Sequence, residues 1–194
     1  AQISYFLYPD KPYVITSLKY NFEDPQLGGL FAADSAHSFF KRGEIYDDEN
    51  RKNEIQRLTN LAANNGYYYF ENAYLDFVAD TGFSNQTLSI TTKLRKYSRA
   101  FNSSSDSLVF TNHPQLKIQN VFIVPQTVFG NIKDVSFSDT LRSKRTGFIF
   151  LLNEPLQYRR RLIMDNVEIH LGEFFNRDLA QKTYKQLLGL GVFK

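Results

Sequence analysis

The sequence predicts an α+β chain made from a repeated unit of strand, helix, helix, strand and strand. Three observations predict it. A six-residue phrase occurs twice, "RGEIYD" at 42–47 and "LGEFFN" at 171–176, each with Gly, Glu, a β-branched or aromatic residue, an aromatic and an Asx. An alternating strand pattern precedes each phrase and a helical pattern follows it. The two strand patterns also lose their alternation at the same place, which unrelated segments would rarely share.

The first strand pattern is 13–22, with apolar Tyr13, Ile15, Leu18, Tyr20 and Phe22; the second is 116–124, with Leu116, Ile118, Val121 and Ile123. A one-residue slip would turn the remainder of a strand inside out unless a bulge absorbs it, so a bulge is expected near Ser17 and near Asn120. Next comes an amphipathic helix at 30–40, carrying Leu30, Phe31, Ala36, Phe39 and Phe40; its counterpart is 158–169. An extra stretch, 126–152, precedes that counterpart, and within it "VSF" and "GFIFLL" are expected to pair as a hairpin across polar residues.

After each phrase a second helix starts. Asp47 and Asp48 can cap free amides in the first copy, and Asn176 stands at the matching place in the second. Ile55, Leu58 and Leu61 form one apolar stripe; Leu179, Tyr184, Leu187 and Leu188 form the other. Gly66 closes the first helix and Gly189 or Gly191 the second, while Gly43 and Gly172 serve the turns of the phrases. The first copy continues with a strand at 67–78, placing Ala73, Leu75 and Phe77 on one face and Asn72, Tyr74 and Asp76 on the other. "DTGFSN" turns the chain, and 87–94 returns with Leu88, Ile90, Thr92 and Leu94 inward.

These elements divide the chain into 1–10, the closing strand of a preceding module; 11–97, a complete module; 98–112, a polar linker; and 113–194, a second module with the insertion 126–152, stopping before its final hairpin. Both ends fall within a module, so the chain reads as a segment of a longer array, with any export signal removed or upstream.

Composition narrows function. Cysteine is absent, which excludes disulfides, thiolate metal sites and cysteine nucleophiles. A net charge of +3 does not indicate a nucleic-acid surface, and the basic runs Arg142–Arg145 and Arg159–Arg161 read as solvated faces. The apolar run 147–152 is far below the roughly 20 residues of a membrane-spanning helix. His37, His113 and His170 lack ligand spacing, so no metal site is expected. Glu44 and Glu173 read as charges facing a helix N-terminus. Asp80-Thr81-Gly82 resembles an aspartic-protease triplet, but such chemistry needs a second carboxylate, and the nearest copy, Asp139-Thr140, continues with Leu141. Asp80 and Gly82 read more simply as hairpin-turn residues.

The order and spacing of "YPDKPYVITSLKY", "ENRKNEIQRLTNLAANNGYYYF" and "YRRRLIMDNVEIHLGEFFNRDLAQKTYKQLLGLGVFK" resemble POTRA modules, the periplasmic repeats of outer-membrane β-barrel assembly factors of the BamA/TamA type. The extra stretch before the last helix pair is most similar to TamA-like proteins of Bacteroidetes. The resemblance covers nearly the whole chain. It implies tandem β-α-α-β-β modules, each a three-stranded mixed sheet covered by two antiparallel helices, on the periplasmic side of the outer membrane. It implies unfolded outer-membrane protein strands or periplasmic accessory subunits as partners, with a C-terminal β-barrel, absent from this chain, as the membrane attachment. It implies no enzyme activity, cofactor, nucleic acid or small-molecule substrate. If the second strand of the first module is a sheet edge, Tyr68, Phe70, Asn72, Tyr74 and Asp76 are its protein-binding residues, and an extended peptide adds there as a further strand. The alternatives are a passive spacer or docking arm, and a protease using Asp80.

Overall fold

Strand β1 (Val14–Phe22) forms where the alternation predicts it, and its ladder with β3 (Thr87–Leu94) shifts register between Ile15 and Ser17. The bulge keeps the apolar set on one face, with Ile15 beside Leu88 and Leu18 beside Ile90. The computed structural model describes residues 3–6, 11–82, 86–100, 108–124, 136–153 and 158–191. Residues 3–6 have no regular structure; the rest of the strand expected at 1–10 lies outside the described residues. Contacts divide the chain into two units, Ala1–Ala62 with Tyr69–His113, and Ala63–Tyr68 with Pro114–Lys194.

In the first unit β3 is central. It runs parallel to β1 and antiparallel to β2 (Leu75–Thr81), giving the sheet order β1-β3-β2. Helix α1 (Pro25–Ala33) begins earlier than expected, because Asp24 caps it: its Oδ1 accepts the N–H groups of Gln26 and Leu27, and Pro25 occupies the first turn. Gly28 lets this helix lie on β1, since a Cβ there would stand 2.6 Å from Phe22. The expected helix 30–40 therefore ends in its first third, and 34–40 is a short 3₁₀ turn and coil. That loop is tied to α2 (Asp48–Asn64) by Glu54, which accepts from the Ser38 hydroxyl at 3.0 Å and from the Phe39 N–H at 2.9 Å. Arg57 joins Glu54 to Asp34. Ile15, Phe40, Leu88 and Ile90 close a core against Leu18, Tyr46 and Phe77.

Two expectations for residues 67–112 need correction. Residues 67–74 are turns and a 3₁₀ segment rather than strand. Tyr67 and Phe70 are both buried, a spacing of three that a strand of period two would send to opposite faces. The expected linker 98–112 instead contributes β4 (Tyr97–Ala100) and β5 (Leu108–Thr111), which pair antiparallel with Tyr97 opposite Thr111 and Ala100 opposite Leu108.

Asp24 also ends the unit. Its Oδ2 accepts from the His113 main-chain N–H at 2.6 Å and lies 3.1 Å from Nδ1. The His113 ring is enclosed by Phe70, Tyr74 and Tyr97, and among the described residues Nε2 has no hydrogen-bond partner. Burial pushes the imidazole pKa below its ordinary 6.5, while the Asp24 carboxylate opposes that shift.

The second unit has sheet order β6-β8-β7, formed by β6 (Phe122–Ile123), β7 (Asp139–Arg142) and β8 (Ile149–Leu152). Again the central strand is parallel to the first and antiparallel to the third. Its hairpin comes from 126–152, ahead of α3 (Arg160–Met164) and α4 (Arg177–Gly189), so β8 holds the place that the sequence reading reserves for a hairpin after α4. β8 pairs with Asp139–Arg142 instead of with "VSF"; Ser136 and Phe137 lie outside strands, and Val135 lies outside the described residues. The ladder ends in a turn in which Ser143 N–H donates to Phe148 carbonyl, and Gly147, at φ +73°, donates to Ser143 carbonyl. The expected strand 116–124 is cut to β6, whose ladder with β8 covers Phe122 and Ile123 and does not extend to Asn120. The helix expected at 158–169 is cut to α3. Phe148, Phe150, Leu152, Ile163 and Val167 form the core. On α4 the inward stripe is Leu179, Thr183 and Leu187; Tyr184 and Leu188 are exposed, contrary to the expected stripe. Thr183 is buried because its hydroxyl accepts the Glu168 N–H at 2.9 Å.

The repeated phrase has one geometry in both units. Ile15 N–H donates to Glu44 carbonyl, Gly43 N–H to Ile15 carbonyl and Tyr46 N–H to Tyr13 carbonyl. Ile118 to Glu173, Gly172 to Ile118 and Phe175 to Leu116 repeat the set, all six bonds lying between 2.8 and 2.9 Å. Gly43 sits at φ +86° and Gly172 at φ +83°, and a Cβ at either would meet nothing within 4 Å.

The last fact isolates backbone strain. Gly43→Ala and Gly172→Ala are each expected to lower the stability of their unit by about 1–2 kcal/mol, from the cost of a left-handed alanine, measured by urea unfolding. A neutral effect would show that the turn relaxes. His113 generates a pH dependence with a fixed sign. Because the fold lowers its pKa, the unfolded chain takes up the proton more readily. Its contribution is complete above pH 6.5 and is lost as pH falls below that value, and His113→Gln should remove this part of a stability–pH curve.

Candidate functional site

β2 is the last strand of its sheet, and the register identifies which of its main-chain groups are open. Arg95 N–H donates to Tyr74 carbonyl at one end of the ladder, and Gly82 N–H to Thr87 carbonyl at the other. Antiparallel pairs alternate, so Asp76 with Lys93, Val78 with Thr91 and Asp80 with Ser89 are the hydrogen-bonded pairs. Leu75, Phe77, Ala79 and Thr81 therefore aim their polar groups away from β3. Leu75 N–H is used by the preceding 3₁₀ turn, where it donates to Asn72 carbonyl. What remains is the N–H of Phe77, Ala79 and Thr81 and the carbonyls of Leu75, Phe77, Ala79 and Thr81, and among the described residues no strand lies beyond them.

The side chains of this edge have two characters. Asp76, Val78 and Asp80 stand exposed on the outer sheet face, Asp76 opposite Lys93 and 3.4 Å from Arg95. On the inner face Leu75 is buried, and half-buried Phe77 meets Phe40 edge-on at 5.3 Å. The other end of the sheet is closed at its start, because the phrase bridges Val14 to Ile45.

Of the residues that the sequence places on the binding edge, Asp76 alone lies in β2. Tyr68 is a turn residue of the second unit, with its ring edge-on to Phe175 at 4.9 Å. Phe70 is 2% exposed and packs on Phe31, which removes it from any surface role. Asn72 and Tyr74 belong to the 3₁₀ turn, and Tyr74 faces the His113 ring at 4.7 Å. Sequence reasoning missed Phe77, Ala79 and Thr81. Counting back from the Gly82 turn along the inward set of the returning strand would have found them.

The turn and cap residues have clear positions. Asp47 accepts the Glu49 N–H through its side chain and the Arg51 N–H through its carbonyl; Asn176 accepts the Leu179 N–H at 3.0 Å. Gly66 and Gly191 are left-handed, at φ +94° and +65°. Asp80 is exposed on a strand opposite Ser89 rather than enclosed in a cleft, and Asp139 opens β7. Among the described residues no His, Asp and Glu cluster could hold a metal ion, and no helix is long and apolar enough to cross a membrane.

No family model matches the sequence, and no curated protein matches it. Among solved structures, the chain is similar to POTRA domains 3–5 of Haemophilus influenzae BamA, at 13% identity and a TM-score of 0.49, over 94% of this chain and 52% of that one. It thus spans about half the length of that structure. It is also similar to POTRA domains 1–3 of Omp85 from Anabaena (10% identity, TM-score 0.30, 94% and 87% covered). The N-terminal domain of Omp85 from Thermosynechococcus elongatus gives 10% identity and a TM-score of 0.29, with 94% and 88% covered.

Proline separates the two sides of β2. Ala79→Pro removes an N–H that no ladder bond uses and should cost about 1 kcal/mol or less, as on natural edge strands. Val78→Pro removes a ladder donor, leaves the Thr91 carbonyl without it and should cost more, about 1–3 kcal/mol. Urea unfolding checks both; the larger loss at Ala79 would mean that the alternation is reversed.

Proposed function

We propose that this chain is a periplasmic POTRA-type segment of an outer-membrane protein assembly factor, and that it captures extended segments of unfolded clients along β2. The open row of main-chain groups from Leu75 to Thr81 carries this reading. A guest strand satisfies those groups without needing a particular sequence, which suits a surface that meets many unfolded chains. Each hydrogen bond adds roughly 0.5–1.5 kcal/mol net, and ordering the guest offsets part of it, so contacts of about micromolar to millimolar strength result. Weak capture permits release. The motif resemblance to POTRA modules supports the compartment and the client class. Half-buried Phe77 offers apolar contact to the inward side chains of the guest.

The test uses a photo-crosslinking residue in place of Asp76 or Asp80, both exposed on the outer face. With peptides corresponding to β-barrel strands, crosslinks are expected in the wild-type background and should fall at least tenfold when Ala79→Pro is added. Equal capture by the folded proline variant defeats edge addition. Crosslinks to one folded periplasmic protein and to no unfolded strand would select the docking-arm alternative.

A further inference from the structure

Two basic runs that are separate in the sequence meet in the second unit. Arg142, Lys144 and Arg145 come from the end of β7 and its turn, Arg159, Arg160 and Arg161 from the entry into α3, and together they line one open groove of about 590 Å³. The turn is fixed by the bonds of Ser143 and Gly147, and Thr146 N–H adds a bond to the Ser143 hydroxyl at 3.3 Å. Asp165 joins the two arms: one carboxylate oxygen accepts from Arg145 at 2.7 Å and the other from Arg161 at 3.2 Å. Among the described residues, Arg142, Lys144, Arg159 and Arg160 form no ion pair. The whole chain carries only +3, so this is a local concentration of charge, not a sample of a basic surface.

Like charges held together repel one another, and an anion in the groove relieves that repulsion. Arginine favours phosphate, because its planar fork offers paired donors. Three features favour a bilayer as the source of the phosphate. The groove is open, so it suits a row of headgroups better than one enclosed ion. Leu162, beside the arginines, is 38% exposed, and Met164 lines the groove, giving apolar contact at the headgroup boundary. Among the described residues no aromatic ring lines the groove, and stacking on such rings is what single-stranded nucleic acid uses.

We propose that this groove binds the phosphate headgroups of an anionic phospholipid surface. This does not depend on peptide capture, which uses main-chain groups of the other unit. The 194-residue chain is sedimented with phosphatidylethanolamine–phosphatidylglycerol vesicles and, separately, with phosphatidylcholine vesicles. Binding is expected only to the anionic vesicles and should weaken as salt rises. At about fivefold per cation near such a surface, Arg159→Ala with Arg160→Ala should lower partitioning about 25-fold, and Lys144→Ala alone about fivefold. Circular dichroism of the variants should be unchanged, since these are exposed side chains. Equal binding to neutral vesicles, or an unchanged partition for both variants, would overturn the proposal. So would inorganic phosphate or duplex DNA binding the groove while the vesicles do not.

Discussion

Three main-chain hydrogen bonds in each unit, joining residues 13–15 or 116–118 to the segment before the long helix, govern much of this structure. The segment must turn back on the strand, which needs a left-handed residue, and Gly43 and Gly172 supply it. It must then offer a carbonyl and an N–H in register, at Glu44 and Tyr46 or at Glu173 and Phe175. Its bridging side chains are not core: Ile45 is 55% exposed and Phe174 43%. Backbone geometry, not packing, is what the repeated phrase preserves. The next residue, Asp47 or Asn176, caps a helix, so the bridge also sets where that helix begins. The glutamates read as helix-start charges serve here through their carbonyls.

Elements controlled by local chemistry were legible. The bulge after Ile15, the caps at Asp47 and Asn176, the left-handed Gly66 and the inward set of β3 each leave a signal within a few residues. Elements controlled by distant partners were not. Four aromatics in a row at 67–70 look like strand, yet Phe70 is buried against Phe31 and His113 while Tyr68 and Tyr69 stay exposed. Asp24-Pro25 is a strong helix start, but Gly28 and Gly29 weigh against a helix until Phe22 is seen to need that space. Thr183 looks polar and outward until Glu168 N–H is seen to require it. The hairpin of the second unit could be read from its turn residues, though its pairing partner was misplaced, because Asp139–Arg142 carries little apolar alternation.

The basic runs fail to stand out for a related reason. Each alone is a short charged stretch of the kind that usually faces solvent. Only the fixed turn before Phe148 and the shared carboxylate of Asp165 make them one surface. A one-dimensional count cannot distinguish six cations spread around a unit from six facing one volume.

An open strand edge invites pairing with a second copy as well as with a guest. The outer face of β2 argues against self-pairing. Asp76 and Asp80 alternate with Val78, and an antiparallel pair of two such strands would bring carboxylates near carboxylates across the ladder. Arg95 neutralises Asp76 in part, whereas among the described residues Asp80 has no ion-pair partner. The repulsion acts only on a guest with acidic residues at matching positions, so neutral or basic segments are not excluded. The same two carboxylates that blunt the edge against aggregation thereby give main-chain recognition a bias in charge.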